Sequence, residues 1–198
     1  MLKSFLLIPA VVFFLYGCGG NELRYTLAND SYRCEDFDVI KEKMVVLINK
    51  ARSQSRNCGY KIFTPAGKVE WNPTLARAAL EHSVDMATGD FVSHEGSDGS
   101  EVSDRVEKLD YEWQMVGENI SVGRESSEEV VAAWLRSPVH CEVLMQQRIT
   151  EIGGACFHNK DTTNKTYWTV VFAAPRPGRA SATPREKLSD APIRRSRP

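Results

Sequence analysis

Trp134-Leu135-Arg136-Ser137-Pro138-Val139-His140-Cys141 is the stretch from which the fold can be read. An apolar helix runs into Ser137-Pro138, stops, and restarts. Serine is a favoured N-cap, and proline suits the first helical position because its missing N–H is not needed there. His140 then sits in the first turn of a new helix, near the positive end of its dipole. That position disfavours imidazolium and keeps the ring neutral near pH 7. Upstream, Ser126 with Glu129 forms a capping-box pattern. Val130, Val131, Trp134 and Leu135 supply the apolar face.

Two other polar positions stand out as partners for His140. His94 lies in a Gly/Ser/Asp-rich stretch, 91–103, that reads as loop. Glu118 lies in Trp113–Val122, which reads as a strand with Val116, Glu118, Ile120 and Val122 on one side. A carboxylate sharing a face with apolar residues needs a partner: a histidine, a cation or backbone N–H groups. His82 lies on the stripe Leu75, Ala79, His82, Met86, in a helix that Asn72-Pro73 starts and Gly89 stops. It reads first as a hydrogen-bonded core histidine, and second as a residue with a role beside the site.

Further out, Phe37, Ile40, Met44, Leu47 and Ala51 mark an amphipathic helix ending near 52–54, and 101–109 reads as a short helix. Residues 152–158 and 167–173 read as strands. Tyr167-Trp168-Thr169-Val170-Val171-Phe172 is bulky on both faces, which suits a strand covered by helices on both sides. The expected class is therefore α+β, an α-β-α sandwich over residues 36–174.

The ends differ from this middle. Residues 1–17, with Lys3 and an apolar run from Phe5 to Tyr16, read as an export signal, too short to span a bilayer. Leu15-Tyr16-Gly17-Cys18 resembles a bacterial lipoprotein signal, which implies lipid on Cys18 as the anchor. Gly19 is not the Asp that retains lipoproteins in an inner membrane, so an outer membrane is favoured where there is one. Residues 18–35 read as a tether. Residues 175–198 read as a disordered tail rich in Pro and Arg, net charge +5, suited to touching anionic lipid or cell-wall polymer. Net charge over the 198 residues is −1, which gives no reason to expect nucleic acid as a partner. Cys34, Cys58, Cys141 and Cys156 suggest two disulfides in an exported chain, with three pairings open.

Taken in order, several pieces resemble the CAP superfamily (cysteine-rich secretory, antigen 5 and pathogenesis-related proteins) in its bacterial SCP-like form. They are Asn49-Lys50-Ala51-Arg52, Trp71 to Leu75, His82 to Met86, Phe91 to His94 with Asp98-Gly99, Gly117 to Ile120, Trp134 to His140, Ile152-Gly153 and Tyr167-Trp168-Thr169. The resemblance implies a three-stranded antiparallel sheet and a cleft carrying two histidines and two glutamates. His94, Glu118 and His140 match three of those positions; the fourth acid is Ser137 here, and the nearby Glu95 and Glu142 are not assigned to it. It also implies a divalent cation, often zinc, between His94 and His140, and ligand chemistry independently permits a set of His94, His140 and Glu118. Two functions follow as expectations. One is an envelope-anchored module that binds a lipid or sterol-like molecule, a glycan or a peptide. The other is a zinc-dependent or acid/base hydrolase using His94, Glu118 and His140, with Ser137 and His82 beside them. The residues favour binding over turnover, since Ser137 lacks a GxSxG context.

Overall fold

The computed structural model describes residues 33–178. The signal, Cys18 and most of the basic tail lie outside the described residues. In chain order the elements are α1 (Phe37–Arg52), β1 (Arg56–Cys58), β2 (Lys61–Phe63), β3 (Glu70–Trp71), α2 (Pro73–Gly89), α3 (Val102–Glu107), β4 (Trp113–Val122), α4 (Ser127–Arg136), α5 (Pro138–Leu144), β5 (Glu151–His158) and β6 (Thr166–Pro175).

One sheet, in the order β3-β5-β6-β4, separates two helical layers. Its three long strands are antiparallel, as expected. A fourth strand, the two-residue β3, adds in parallel beside β5. That edge is easily missed, because two residues carry no period. A separate hairpin, β1-β2, turns at Gly59, whose φ of +62° is costly for a residue with a side chain.

β6 is central and buried on both faces. Trp168, Val170 and Phe172 pack toward α1, α4 and α5, with Ile40, Met44, Ile48, Val130 and Trp134. Val171 and Ala173 point the other way, to Leu75, Ala78 and Ala79 of α2 and Val106 of α3. This alternation is the physical content of the three-layer sandwich.

Local chemistry places the helices. The Asn72 side chain accepts from the N–H groups of Thr74 and Leu75, with Pro73 at the first turn of α2. The helix stops at Gly89 as expected, and Asp90, rather than the glycine, closes it in the left-handed region at φ 48°. The short side chain of Asp tolerates that conformation. Ser126 accepts from the Glu129 N–H, but the Glu129 carboxylate reaches Glu125 rather than Ser126, so only half of the capping box forms. On α1 the inward stripe is Ile40, Met44, Ile48 and Ala51, with Arg52. Phe37 is 48% exposed and lies edge-on to Trp71.

The disulfides are Cys34–Cys156 and Cys58–Cys141. The first corrects the tether: residues 34–35 belong to the domain. Cys34 is bonded to β5, and the Glu35 carboxylate accepts from both the N–H and the hydroxyl of Ser127 at the start of α4. Burial works to raise the Glu35 pKa, but Lys43 and Ser127 outweigh it and hold the carboxyl below its ordinary range. The tail also begins later than 175. Pro175 is the last residue of β6, and the Arg176 N–H donates to the Glu112 carbonyl.

Candidate functional site

β4 is an edge strand, and the site is built around that edge. Glu118 pairs across to Val171 and so faces the α2/α3 layer; Asn119 pairs with Val170 and faces the α4/α5 layer. The two layers each contribute one of the expected histidines.

On the first side, the loop after α2 brings in His94. Its Nδ1–H donates to Glu118 Oε1 at 2.8 Å. Arg105, on α3, donates from one Nη2 to Glu118 Oε2 at 2.8 Å and to the His94 carbonyl at 3.0 Å. His82, from α2, places Nε2 at 2.8 Å from the Ser93 carbonyl and 3.8 Å from Glu118 Oε1. A carbonyl only accepts, so His82 carries its proton on Nε2. The Glu118 side chain is 1% exposed, whereas the His94 side chain is 51% exposed. The buried carboxylate is thus matched by a guanidinium and orients a ring that solvent can reach.

On the second side, His140 lies in the first turn of α5, as its sequence context predicts. Its Nδ1 meets Ser137 Oγ at 2.7 Å. The Ser137 hydroxyl does not cap the helix; it holds the ring instead. The His140 carbonyl accepts from Asn119 Nδ2 at 3.0 Å, which fixes α5 to β4. The hairpin adds a second tether through Cys58–Cys141 and a Lys61–Glu142 ion pair at 2.5 Å. Glu142 is therefore committed to Lys61 and does not replace the missing fourth acid; Glu95 is exposed.

The structure thus brings His94, Glu118 and His82 into contact, and His140 with Ser137, on the two faces of one strand. Among the described residues, no three His, Cys, Asp or Glu side chains group as a metal-holding set. Glu118 spends both oxygens on His94 and Arg105. Its geometry is that of an orienting acid behind His94 rather than a third ligand. Arg105 and Asn119 were not singled out from sequence. The buried acid signalled that a cation could be required, but nothing local marks Arg105, which arrives from a six-residue helix.

The three rings differ in basicity. The hydrogen bond that His94 donates to Glu118 raises the His94 pKa above 6.5 against the opposing effect of burial. Burial lowers that of His82, aided by Arg105. Burial, and then the charge of His94, lower that of His140, so the two rings sense each other electrostatically. The folded protein holds the His94 proton more tightly than the unfolded chain does. This contact therefore contributes stability that is complete below about pH 6.5 and is lost as pH rises through the folded value. His82 acts oppositely: its stabilising contribution is present above 6.5 and is lost as pH falls toward its folded pKa. A histidine NMR titration is expected to find His94 above 6.5 and His82 and His140 below it. Glu118→Gln should bring His94 down. A wild-type His94 titrating below 6.5 would show that the Glu118 contact is not made in solution.

The sequence profile of the cysteine-rich secretory protein family matches residues 46–172. Among similar proteins, the membrane protein YlbC of Bacillus subtilis is 31% identical over 86 residues, 43% of this chain and 25% of its own. A protein of Borreliella burgdorferi is 30% identical over 104 residues, 52% of this chain and 64% of its own. The chain thus spans from a quarter to just under two thirds of the length of these relatives. Two solved structures share the fold. An extracellular protein containing a SCP domain from Bacillus anthracis has TM-score 0.57 at 21% identity, over 69% of this chain and 41% of that one. An outer surface protein from Borrelia burgdorferi has TM-score 0.56 at 22% identity, over 70% and 92%. Among the described residues, no helix is long and apolar enough to cross a membrane. The profile match takes in the helix-stop-helix segment, both histidine-bearing layers and the strand between them, so the chain belongs to the cysteine-rich secretory protein (CAP) family.

Proposed function

We propose that this protein is a binding module whose site is the pair His94 and His140, displayed at the edge of β4. One observation carries the reading: in both rings Nδ1 is occupied by a side-chain oxygen, Glu118 for His94 and Ser137 for His140. That arrangement fixes each ring and leaves Nε2 as its outward nitrogen, the pattern of a histidine that ligates a cation. The donor set fits zinc, held by His94 and His140 with Glu118 and Ser137 as orienting groups. Bound there, zinc would supply a Lewis-acidic position for an oxygen or nitrogen of a ligand. Val92 and Val139, close in sequence to the two histidines, are 48% and 66% exposed. They favour a ligand with an apolar body and a polar head, the lipid or sterol-like class, over a glycan.

The hydrolase reading has weaker support. A general base needs a free acceptor, and both Glu118 oxygens already accept hydrogen bonds. For placement, the two disulfides and the extracellular and outer-surface relatives favour export, with lipid on Cys18 as the anchor.

Zinc titration followed by metal analysis tests the site. Wild type is expected to bind about one zinc per chain, and His94→Ala/His140→Ala none. Glu118→Gln should retain binding, weakened about 10- to 100-fold by loss of the orienting carboxylate. Equal zinc uptake by wild type and the double variant would overturn the reading.

A further inference from the structure

The β1-β2 hairpin belongs to no larger sheet and lies beside the start of α5. A Cβ on Gly59 would meet Pro138 Cβ and Cγ at 3.0 and 3.2 Å, so the turn rests directly on that proline. Register decides which side chains face outward. Cys58 and Lys61 are paired, and both point inward, to Cys141 and Glu142. Asn57 and Ile62 form the next pair and therefore face the other way. Tyr60 is fully exposed at the turn, and Ile62 is 76% exposed. Val139, next to Pro138, continues this apolar surface toward His140. Nothing in the fold uses these three side chains, and an exposed apolar cluster of this kind marks a contact surface.

The charge around it is opposite to that of the domain. Residues 33–178 carry 17 Lys or Arg against 22 Asp or Glu, a net charge of −5. The two stretches that build this corner, 53–69 and 136–150, carry five Lys or Arg and one acid, a net charge of +4. That acid, Glu142, pairs with Lys61. Among the described residues, Lys68, Arg136 and Arg148 form no ion pair. Arg136 precedes Pro138 by two residues. Arg148 follows Gln147, whose amide donates to the Thr64 carbonyl just beyond β2. The apolar tip is thus ringed by cations on an otherwise acidic body, and an anionic surface attracts that corner while repelling the rest.

We propose that this corner docks on an anionic lipid surface, with Tyr60, Ile62 and Val139 entering the headgroup layer and Lys68, Arg136 and Arg148 meeting lipid phosphates. The tip is convex, so a protein partner would need a matching pocket, whereas a bilayer receives it as it is. Tyrosine suits the boundary between headgroups and acyl chains. Entry is shallow, because neither hairpin strand has a second neighbour and their open backbone edges need water or headgroups. The 15 residues between Cys18 and Cys34 span at most about 50 Å, and α1, which leads to the hairpin, is about 24 Å long. An anchor at Cys18 therefore leaves the corner within reach of the membrane. Docking does not depend on zinc, and it turns His140 toward the lipid.

Hydrogen exchange of the full chain, reconstituted in vesicles of neutral phosphatidylcholine or of phosphatidylcholine with one quarter phosphatidylglycerol, tests this. Segment 56–63 is expected to exchange about tenfold more slowly on the anionic vesicles, with α2 unchanged as the internal control. The slowing should fade at 0.5 M salt, roughly, as screening shortens the reach of the cations. Tyr60→Ser/Ile62→Ser, at exposed positions that the fold does not use, should abolish it, and Lys68→Gln/Arg136→Gln/Arg148→Gln should reduce it at least fivefold. Three results would each overturn the proposal. They are equal exchange on the two kinds of vesicle, slowing that survives in the Tyr60→Ser/Ile62→Ser variant, and the same slowing on neutral vesicles as protein concentration rises, which would give the patch to a second copy of the chain.

Discussion

Gly153→Ala is expected to leave little or no folded protein. Gly153 lies on β5 directly beneath the start of α2. A Cβ built there would stand 2.0 Å from the Ala76 amide nitrogen, 2.4 Å from the Leu75 carbonyl carbon and 2.7 Å from the Asn72 oxygen. All three are backbone atoms, so no rotamer change relieves the clash. The helix would have to lift by more than an ångström, which breaks the Asn72 N–H bond to the Ile152 carbonyl at 2.8 Å. It would also part Leu75, Ala78 and Ala79 from Ala155 and Val171. The expected loss exceeds about 4 kcal/mol, a large part of the ~5–15 kcal/mol that holds an ordinary domain together. Gly154→Ala is the contrast. Its Cβ meets the Val170 Cγ2 at 2.7 Å, a side-chain atom that can give, so about 1–3 kcal/mol is expected. Circular dichroism and urea midpoints of the two variants check this; equal midpoints would mean that α2 does not sit against Gly153.

Arg52→Met is expected to cost about 4 kcal/mol or more without touching the site. Arg52 is fully buried and faces no carboxylate. Its guanidinium donates to four backbone carbonyls, those of Gly67, Leu144, Gln146 and Ile149, at 2.7–3.0 Å. Leu144 ends α5, while Gly67, Gln146 and Ile149 lie in two loops that have no regular structure of their own, so one side chain supplies the order that a ladder would otherwise provide. Methionine fills much of the volume but orphans all four oxygens, each worth about 1–3 kcal/mol when buried and unpaired. Arg52→Lys should recover only part of the loss, because an ammonium has three donors and no planar fork. Asn49, one turn earlier, works in the same way: its amide donates to the Val69 carbonyl and accepts from the Val69 N–H at 2.9 and 2.8 Å. A urea midpoint for Arg52→Met near wild type would refute the assignment.

These two predictions show which kind of information was legible in the chain. Gly153 and Arg52 both fall within short motifs that were visible as resemblance, Ile152-Gly153 and Asn49 to Arg52, but their physical roles depend on atoms far away in sequence. Periodicity and capping residues located α1, α2, α4, α5 and the long strands because those signals are local: a 3.6 or 2 repeat, an Asn-Pro or Ser-Pro start. The two-residue β3 escaped, since it leaves no periodic trace. The ends of the domain were misjudged for the same reason. Glu35 and Arg176 look like linker residues until Ser127 and Glu112 are placed beside them.

The candidate site divides along the same line. By itself, the sequence singled out His94 in a polar loop, Glu118 as the carboxylate on an otherwise apolar strand face, and His140 at the start of a helix. Only tertiary structure decided which partner each one takes. Successive residues of a strand face opposite ways, so Glu118 and its neighbour Asn119 look into different layers. Glu118 therefore meets His94 and Arg105, and His140 is left to Ser137 and Asn119. Pairings across a sheet depend on register and packing between segments tens of residues apart, and no local pattern encodes them.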